Sequence, residues 1–210
     1  MKIKTIFSTL LLGLIVTTTS CTKDNYDAPE STLMGRIVYK GEPLQLRGTS
    51  EAIQLQLYQD GYEKHDPINV FVGQDGVYSA KLFDGEYKMV TRDHNGPWVN
   101  SRDTTIIQVK GNTTHDVEVT PFYTISNADI SLAGNTVKAN FTINKVAGTK
   151  ILRADDADRE SVWNAEGAYS MEQDLTNNDA FQKAKTVFAR VCVWSSGADQ
   201  GIYSPVIRLK

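Results

Sequence analysis

The sequence is poor in cysteine, and this scarcity excludes a large class of small secreted proteins. Its 210 residues contain two cysteines, Cys21 and Cys192. Two cysteines form at most one disulfide, so the chain cannot be a disulfide-stapled scaffold and must rely on a hydrophobic core. We expect Cys192 to act as a small apolar side chain inside the predicted strand 187–194, since a nucleophile would need a base nearby.

The chain also lacks an excess of positive charge and a second long apolar run. It has 22 Lys and Arg against 25 Asp and Glu, for a formal net charge of −3. Without a basic patch, binding to nucleic acid is not expected. After the N-terminal segment, no apolar run approaches the roughly 20 residues that a membrane-spanning helix needs. Any membrane attachment would therefore be through lipid alone.

Motifs for catalysis and cofactor binding are absent too. The sequence has no HExxH, CxxC, phosphate-binding loop, dinucleotide fingerprint or GxSxG. We therefore predict no enzymatic activity, no cofactor and no metal. One acidic run could supply oxygen ligands to Ca²⁺, but it lacks the Asp-x-Asp-x-Asp-Gly spacing, and a solvated turn is the alternative. Its residues are Asp155, Asp156, Asp158 and Glu160. The three histidines are scattered in polar surroundings, and we expect them at the surface.

What is present begins with a leader at residues 1–20. Two lysines precede an apolar stretch, residues 6–16, which has the length of a signal-peptide core. Small residues and then Cys21 follow, and this order resembles the lipobox of bacterial lipoproteins, although Thr18 stands where leucine is usual. The resemblance implies that the Cys21 thiol carries a lipid. An ordinary signal peptide and a Cys21–Cys192 disulfide are the alternatives.

Residues 21–32 form a polar stretch that we interpret as a tether. Lys23, Asp24 and Asp27 resemble the export signal of Bacteroidetes lipoproteins that reach the outer face of the outer membrane. The resemblance implies a lipid-anchored protein facing the cell exterior. A merely solvated linker is the alternative interpretation.

Two-residue alternation dominates the remainder of the chain and predicts an all-β protein. Ile53, Leu55 and Leu57 alternate with polar residues, and the same pattern recurs in residues 137–144. Asp-Gly and Gly-Asn pairs separate the runs, as hairpin turns require. The helix candidate is 178–185, and a helical turn after Asp155 is a minor alternative. A boundary near Pro121 divides the chain into two β-sandwich domains, 33–121 and 122–210.

The first domain, 33–121, resembles the carboxypeptidase-regulatory or transthyretin-like β-sandwich. The motifs that carry the resemblance are Gly41-Glu42-Pro43, Asp75-Gly76-Val77-Tyr78 and Gly85-Glu86-Tyr87. We expect the rings of Tyr78 and Tyr87 in the core with their hydroxyls near its rim. The resemblance implies an accessory module without peptidase activity. The second domain, 122–210, looks like an immunoglobulin or fibronectin type III sandwich at its last two strands.

Candidate binding residues lie in a polar, turn-rich loop of the first domain. An exposed Trp98 could stack on a sugar ring while neighbouring side chains bond its hydroxyls. These neighbours are Asn100, Arg102 and Asp103. The alternative is that Trp98 plugs the end of the sandwich while Arg102 and Asp103 pair locally. Trp163, beside Asn164 in a loop-like stretch of the second domain, is the other candidate platform.

Taken together, the chain resembles an uncharacterised family of Bacteroidetes outer-membrane lipoproteins with these two domain types. The stretches 95–98, 102–104 and 117–122 belong to that resemblance. Such proteins tend to be encoded beside SusC-like transporters and SusD-like glycan-binding lipoproteins. The resemblance implies a non-catalytic accessory protein that binds a polysaccharide or oligosaccharide during glycan uptake. The alternative is a docking module for the transporter complex itself.

Overall fold

The computed structural model describes residues 27–49, 52–61, 63–147, 151–153, 166–195 and 198–210. The predicted all-β class is confirmed, with strands arranged in several sheets. The strands of the first part of the chain are β1 (Ser31–Tyr39), β2 (Glu42–Pro43), β3 (Gln54–Tyr58), β4 (Ile68–Phe71), β5 (Val77–Leu82), β6 (Gly85–Thr91), β7 (Thr105–Val109), β8 (Asn112–Thr114) and β9 (Val117–Glu118).

The elements of the second part begin after Pro121. They are β10 (Tyr123–Ala133), β11 (Thr136–Lys145), β12 (Ile151–Arg153), β13 (Gly167–Asp174), α1 (Asp179–Lys183), β14 (Phe188–Ala189), β15 (Cys192–Ser195), β16 (Ile202–Tyr203) and β17 (Ile207–Arg208). Within the part of the chain that the structure describes, no helix has the length and apolar character needed to cross a bilayer.

Two sheets face each other in the first part. One has the order β2-β1-β5, and β8 and β9 each add to β1 in parallel. The other has the order β4-β3-β6-β7 and is antiparallel throughout. The alternating residues Ile53, Leu55 and Leu57 are fully buried, as the sequence predicts. Because alternate side chains of a strand point to one face, the apolar set of β3 enters the core that the two sheets enclose.

The two tyrosines that the sequence assigns to the core are buried in this sandwich. Tyr78 and Tyr87 are each 1 % exposed, and each hydroxyl donates to a backbone carbonyl, that of His115 or of Phe83. A buried hydroxyl normally needs such a partner. Burial is also the main cause that raises the pKa of the Tyr78 hydroxyl far above its ordinary value. Both rings therefore lie in the core, as the sequence predicts.

The described residues of the second part form three smaller sheets, β10-β11-β13, β12-β15-β16 and β14-β17. The sequence predicts one strand over 187–194. This prediction is wrong in one respect, because the structure has two strands there, β14 and β15. Between them, the Val191 N–H donates to the Ser204 hydroxyl at 2.9 Å, and Arg190 reaches back to the first part of the chain. The helix prediction is confirmed: Asn178 caps α1 by accepting from Phe181 N.

Backbone and side-chain bonds join the two parts of the chain at residues 45–46. Tyr203 N–H donates to the Gln45 carbonyl at 3.0 Å. Arg190 Nη1 donates to the Leu46 carbonyl at 2.8 Å, and its guanidinium lies 3.8 Å from the ring centroid of Tyr203. Burial of this ring raises the pKa of its hydroxyl to about 12. The junction is therefore specific and partly withdrawn from water.

Candidate functional site

The loop that joins β6 to β7, residues 92–104, is held at its start by Asn95. The Asn95 side chain accepts from Gln54 N at 2.6 Å and donates to the Ala52 carbonyl at 2.9 Å. An amide is one of the few groups that can accept and donate at once. Asn95 therefore fixes the beginning of the loop to the beginning of β3.

Further along, the loop is fixed to the segment that leads into the second part of the chain. Phe122 N–H donates to the Pro97 carbonyl at 3.0 Å, and Val99 N–H donates to the Thr120 carbonyl at 2.9 Å. Trp98 and Pro121 are paired between these bonds. The backbone around Trp98 is therefore hydrogen-bonded like a short piece of sheet, which orders the loop before any ligand arrives.

Trp98 itself is 2 % exposed and belongs to the hydrophobic core. Its indole lies against Gly96, which has no side chain to obstruct it. Of the two alternatives left open by the sequence, the structure selects the plug, and the idea of an exposed stacking platform at Trp98 is wrong. The loop pairs with residues 120–122, and this pairing turns the ring inward.

A cavity of about 290 Å³ lies beside this buried ring. Its apolar wall comes from β6, from the loop and from β9, and its polar side chains come from the same segments and the start of β7. The lining consists of Met89, Val90, Thr91, Trp98, Val99, Ser101, Asp103, Thr105, Val117, Glu118, Val119 and Thr120. An apolar lining that also contains a few polar residues is typical of sites that bind small ligands.

The two carboxylates of the cavity are anchored differently. Asp103 accepts from the Ser101 hydroxyl at 2.6 Å, and the same hydroxyl accepts from Asp103 N at 3.1 Å. Glu118 accepts from Lys40 N at 2.6 Å. Each carboxylate therefore has one oxygen held by the protein, and a carboxylate has further lone pairs with which to accept from a ligand.

The strand that carries Glu118 is positioned by a nearby ion pair. Arg36 Nη2 lies 2.6 Å from Asp116 Oδ2, and Asp116 also accepts from Arg36 N at 2.9 Å. The hydrogen bond from the Arg36 side chain is the main cause that lowers the pKa of Asp116 below its ordinary value. Because Arg36 lies in β1, the pair helps to hold β9 against β1.

Two of the other predicted binding residues lie outside the cavity lining. Asn100 caps the loop internally, since it accepts from His94 N at 3.0 Å. The expected pairing of Arg102 with Asp103 is wrong: Arg102 Nε lies 3.8 Å from Asp93 Oδ2, its side chain is 91 % exposed, and Asp103 bonds Ser101 instead. The structure therefore brings Trp98 and Asp103 to one cavity, and it leaves Asn100 and Arg102 beside it.

Several predictions fall outside the described residues. They concern Cys21, Trp163 and the acidic run Asp155, Asp156, Asp158 and Glu160. Within the described ranges, no group of three or more His, Cys, Asp or Glu side chains could hold a metal ion. His65 and His94 are exposed as predicted, whereas His115 is half-buried.

Sequence reasoning missed most of the cavity, including Ser101, Glu118 and Thr120. They escaped notice because alternation marks Glu118 and Thr120 only as outward-facing positions, and it does not show which loop covers them. The stretch 117–122 belongs to the family resemblance, and Ser101 lies in the turn-rich loop that the sequence marks as a candidate, but neither signal shows that the two segments meet.

A family model described as "Protein of unknown function (DUF3823) N-terminal domain" matches residues 31–120. Among solved structures, the chain is similar to a DUF3823 family protein from Parabacteroides merdae, with 49 % identity and a TM-score of 0.80. That match covers 88 % of this chain and 100 % of the other. A DUF3823 family protein from Bacteroides ovatus has 32 % identity and a TM-score of 0.70, covering 85 % and 98 %.

A more distant structure shares the fold. It is a proposed carbohydrate-binding protein from Bacteroides uniformis, with 17 % identity and a TM-score of 0.68, covering 87 % of this chain and 99 % of that one. A comparison with curated proteins found no match.

Proposed function

Since the chain belongs to the DUF3823 family, we propose that it is a non-catalytic saccharide-binding protein and that the cavity beside Trp98 is its binding site. The observation that carries this proposal is the composition of the cavity. Ser101, Asp103 and Glu118 line it together with apolar residues such as Val117 and Val119. Sugars present hydroxyls at their edges and C–H groups on their faces, so this mixture complements them.

The order of the loop supports the same proposal. Asn95 and the backbone bonds of Pro97 and Val99 hold it in place. A binding loop that is already ordered loses little conformational entropy when its ligand arrives. The B. uniformis structure, a proposed carbohydrate-binding protein, adds a precedent in the same fold.

The proposal includes a location and an arrangement of domains. We propose lipidation at Cys21, anchoring at the outer membrane with the protein facing the exterior, and a division of the chain at Pro121. The leader of residues 1–20 and the tether of residues 21–32 support the anchoring. Several weak sites held at one surface raise the local concentration of a polymeric ligand without tight single sites, and this would suit an accessory role in glycan uptake.

The test is affinity electrophoresis of residues 22–210, which keep every described residue, through gels that carry plant and host polysaccharides. Because Trp98 is buried, its replacement by alanine would test the core as much as the site. Asp103→Asn and Glu118→Gln are sharper, since each keeps its structural acceptor oxygen while losing its charge. Bonds to charged acceptors are about twice as strong as neutral ones, so we expect about tenfold weaker binding by each variant.

Asp93→Asn is the matched control, because Asp93 lies in the same loop but outside the cavity lining. It should bind as the parent does. The proposed site is wrong if no polysaccharide retards the parent protein. It is also wrong if Asp103→Asn and Glu118→Gln bind as tightly as the parent and as Asp93→Asn do. Hydrolysis of a retarding polysaccharide by the purified protein would contradict its non-catalytic character.

Docking on an outer-membrane transporter complex is the second candidate function. The observation that favours it is Ile106, which is 61 % exposed on β7 at one edge of the sheet β4-β3-β6-β7. An apolar edge strand can add to a partner's sheet. Co-purification with such a complex that is lost in Ile106→Lys, but kept in Asp103→Asn, would favour docking over saccharide binding.

A further inference from the structure

The charges of the cavity are of one sign. Among the residues that the structure describes, its lining contains two carboxylates, Asp103 and Glu118, and no lysine or arginine. A ligand that brought a carboxylate or sulfate into this cavity would face both, and like charges brought together at an interface weaken binding strongly. The lining therefore discriminates between ligands by charge.

Cationic side chains that neighbour lining residues have other partners, and Arg92, beside Thr91, donates to the Gln54 side chain at 2.7 Å. The Arg102 side chain is 91 % exposed and pairs with Asp93. Lys40 contacts Glu118 through its backbone N–H, while its ammonium lies 5.2 Å from the ring centroid of Tyr39. None of these cations lines the cavity, so none offsets the two carboxylates there.

The volume sets the size of the ligand. About 290 Å³ is at the lower end of the range of about 300–1,000 Å³ for small-molecule pockets. A cavity of this size holds about one sugar ring, with the rest of a chain outside. Such a site suits a chain end or a side branch better than a long continuous stretch of polymer.

We propose that the cavity binds a single uncharged sugar residue of a neutral glycan and that it rejects uronate, sulfated and sialylated residues. This inference rests on the proposed saccharide-binding function. Hydroxyl groups of a neutral sugar donate to the remaining lone pairs of Asp103, Glu118 and the Ser101 hydroxyl, whose own proton is donated to Asp103. The hydroxyls of Thr105 and Thr120 bond its other oxygens.

The experiment pairs each neutral polymer with a charged counterpart, in gels at low salt. The pairs are dextran with dextran sulfate, galactan with polygalacturonate, xylan with glucuronoxylan, and hydroxyethyl cellulose with carboxymethyl cellulose. We expect at least one neutral polymer to retard residues 22–210, with binding to its counterpart at least about tenfold weaker. The double variant Asp103→Asn with Glu118→Gln should bind the neutral polymer less well and lose most of that discrimination.

The outcomes separate the inference from the function on which it rests. If a charged polymer binds as tightly as its neutral counterpart, the inference is overturned and the saccharide-binding function stands. If no polymer binds, both fall. A monosaccharide of the retarding polymer should relieve retardation, whereas relief by trisaccharides and longer oligosaccharides alone would overturn the single-ring site.

Discussion

Gly96 lies so close beneath Trp98 that a Cβ atom added to it would stand 2.2 Å from Cε2 of the indole ring. Two further ring atoms would lie within 2.6 Å of it. Real side chains do not approach so closely, so alanine at this position must displace the ring or the loop. The contact explains why glycine precedes the Pro97-Trp98 pair, because the indole packs directly against the backbone of Gly96.

We therefore expect Gly96→Ala to lower the free energy of unfolding by about 1–3 kcal/mol, the usual cost of overpacking a core. Denaturant unfolding measures the loss. The control is the same change in a Trp98→Phe background, where the smaller ring leaves room for the methyl group, so the cost of the alanine should shrink. An equal cost in both backgrounds would show that the strain lies elsewhere than in the ring.

Trp98→Phe by itself tests the buried indole nitrogen. Trp98 Nε1 has no hydrogen-bond partner among the described residues, and an unsatisfied buried donor costs about 1–3 kcal/mol. Phenylalanine removes the donor but leaves a small void, so the two effects oppose each other and we expect stability to change by less than about 1 kcal/mol. Trp98→Ala should cost about 3–5 kcal/mol. Thermal and denaturant unfolding of both variants make the comparison, and a loss for Trp98→Phe as large as for Trp98→Ala would contradict it.

The sequence indicates local features of the fold well and long-range ones poorly. The burial of Leu55 and the capping of α1 by Asn178 follow from alternation and from the chemistry of one side chain. The burial of Trp98 does not, because it depends on pairing with Pro121, which is 23 residues away by their numbers. For the same reason, the cavity collects residues from β6, the loop and β9, and no local pattern assembles them.

The division of the predicted strand 187–194 has a similar cause. Its residues do alternate between apolar and other side chains. However, Arg190 lies between the two strands, and its side chain donates to the Leu46 carbonyl. Val191 finds its partner in the Ser204 hydroxyl. A contact with a residue so far along the chain competes with regular pairing, and local propensity contains no sign of it.

The ion pair of Arg36 and Asp116 should make stability depend on acid pH. The pair lowers the pKa of Asp116 in the folded chain below the unfolded value of about 3.9. The stabilisation is therefore fully present above about pH 4 and disappears as the pH falls through the folded pKa. We expect Asp116→Asn to be less stable than the parent at pH 6, and the difference should diminish below pH 4.

Denaturant unfolding from pH 7 to pH 2.5 measures this difference. Asp129→Asn, which replaces an exposed carboxyl on β10, is the matched control and should track the parent throughout. A gap between parent and Asp116→Asn that persists unchanged at the acid end would mean that the aspartate stabilises β9 by something other than its charge.

The junction between the two parts of the chain yields the last prediction. Arg190 both donates to the Leu46 carbonyl and covers the Tyr203 ring, and a methionine would keep most of its apolar stem while losing both interactions. We expect Arg190→Met to lose about 1–3 kcal/mol of stability and to broaden or split the unfolding transition, since the two parts would be less strongly coupled. Arg208→Met is the control, because Arg208 is exposed and bonds the nearby Lys210 carbonyl; it should change stability by less than about 0.5 kcal/mol. A single sharp transition in Arg190→Met, at the midpoint of the parent, would show that the remaining contacts suffice to join the two parts, among them the bonds of Tyr203 to Gln45 and of Phe122 to Pro97.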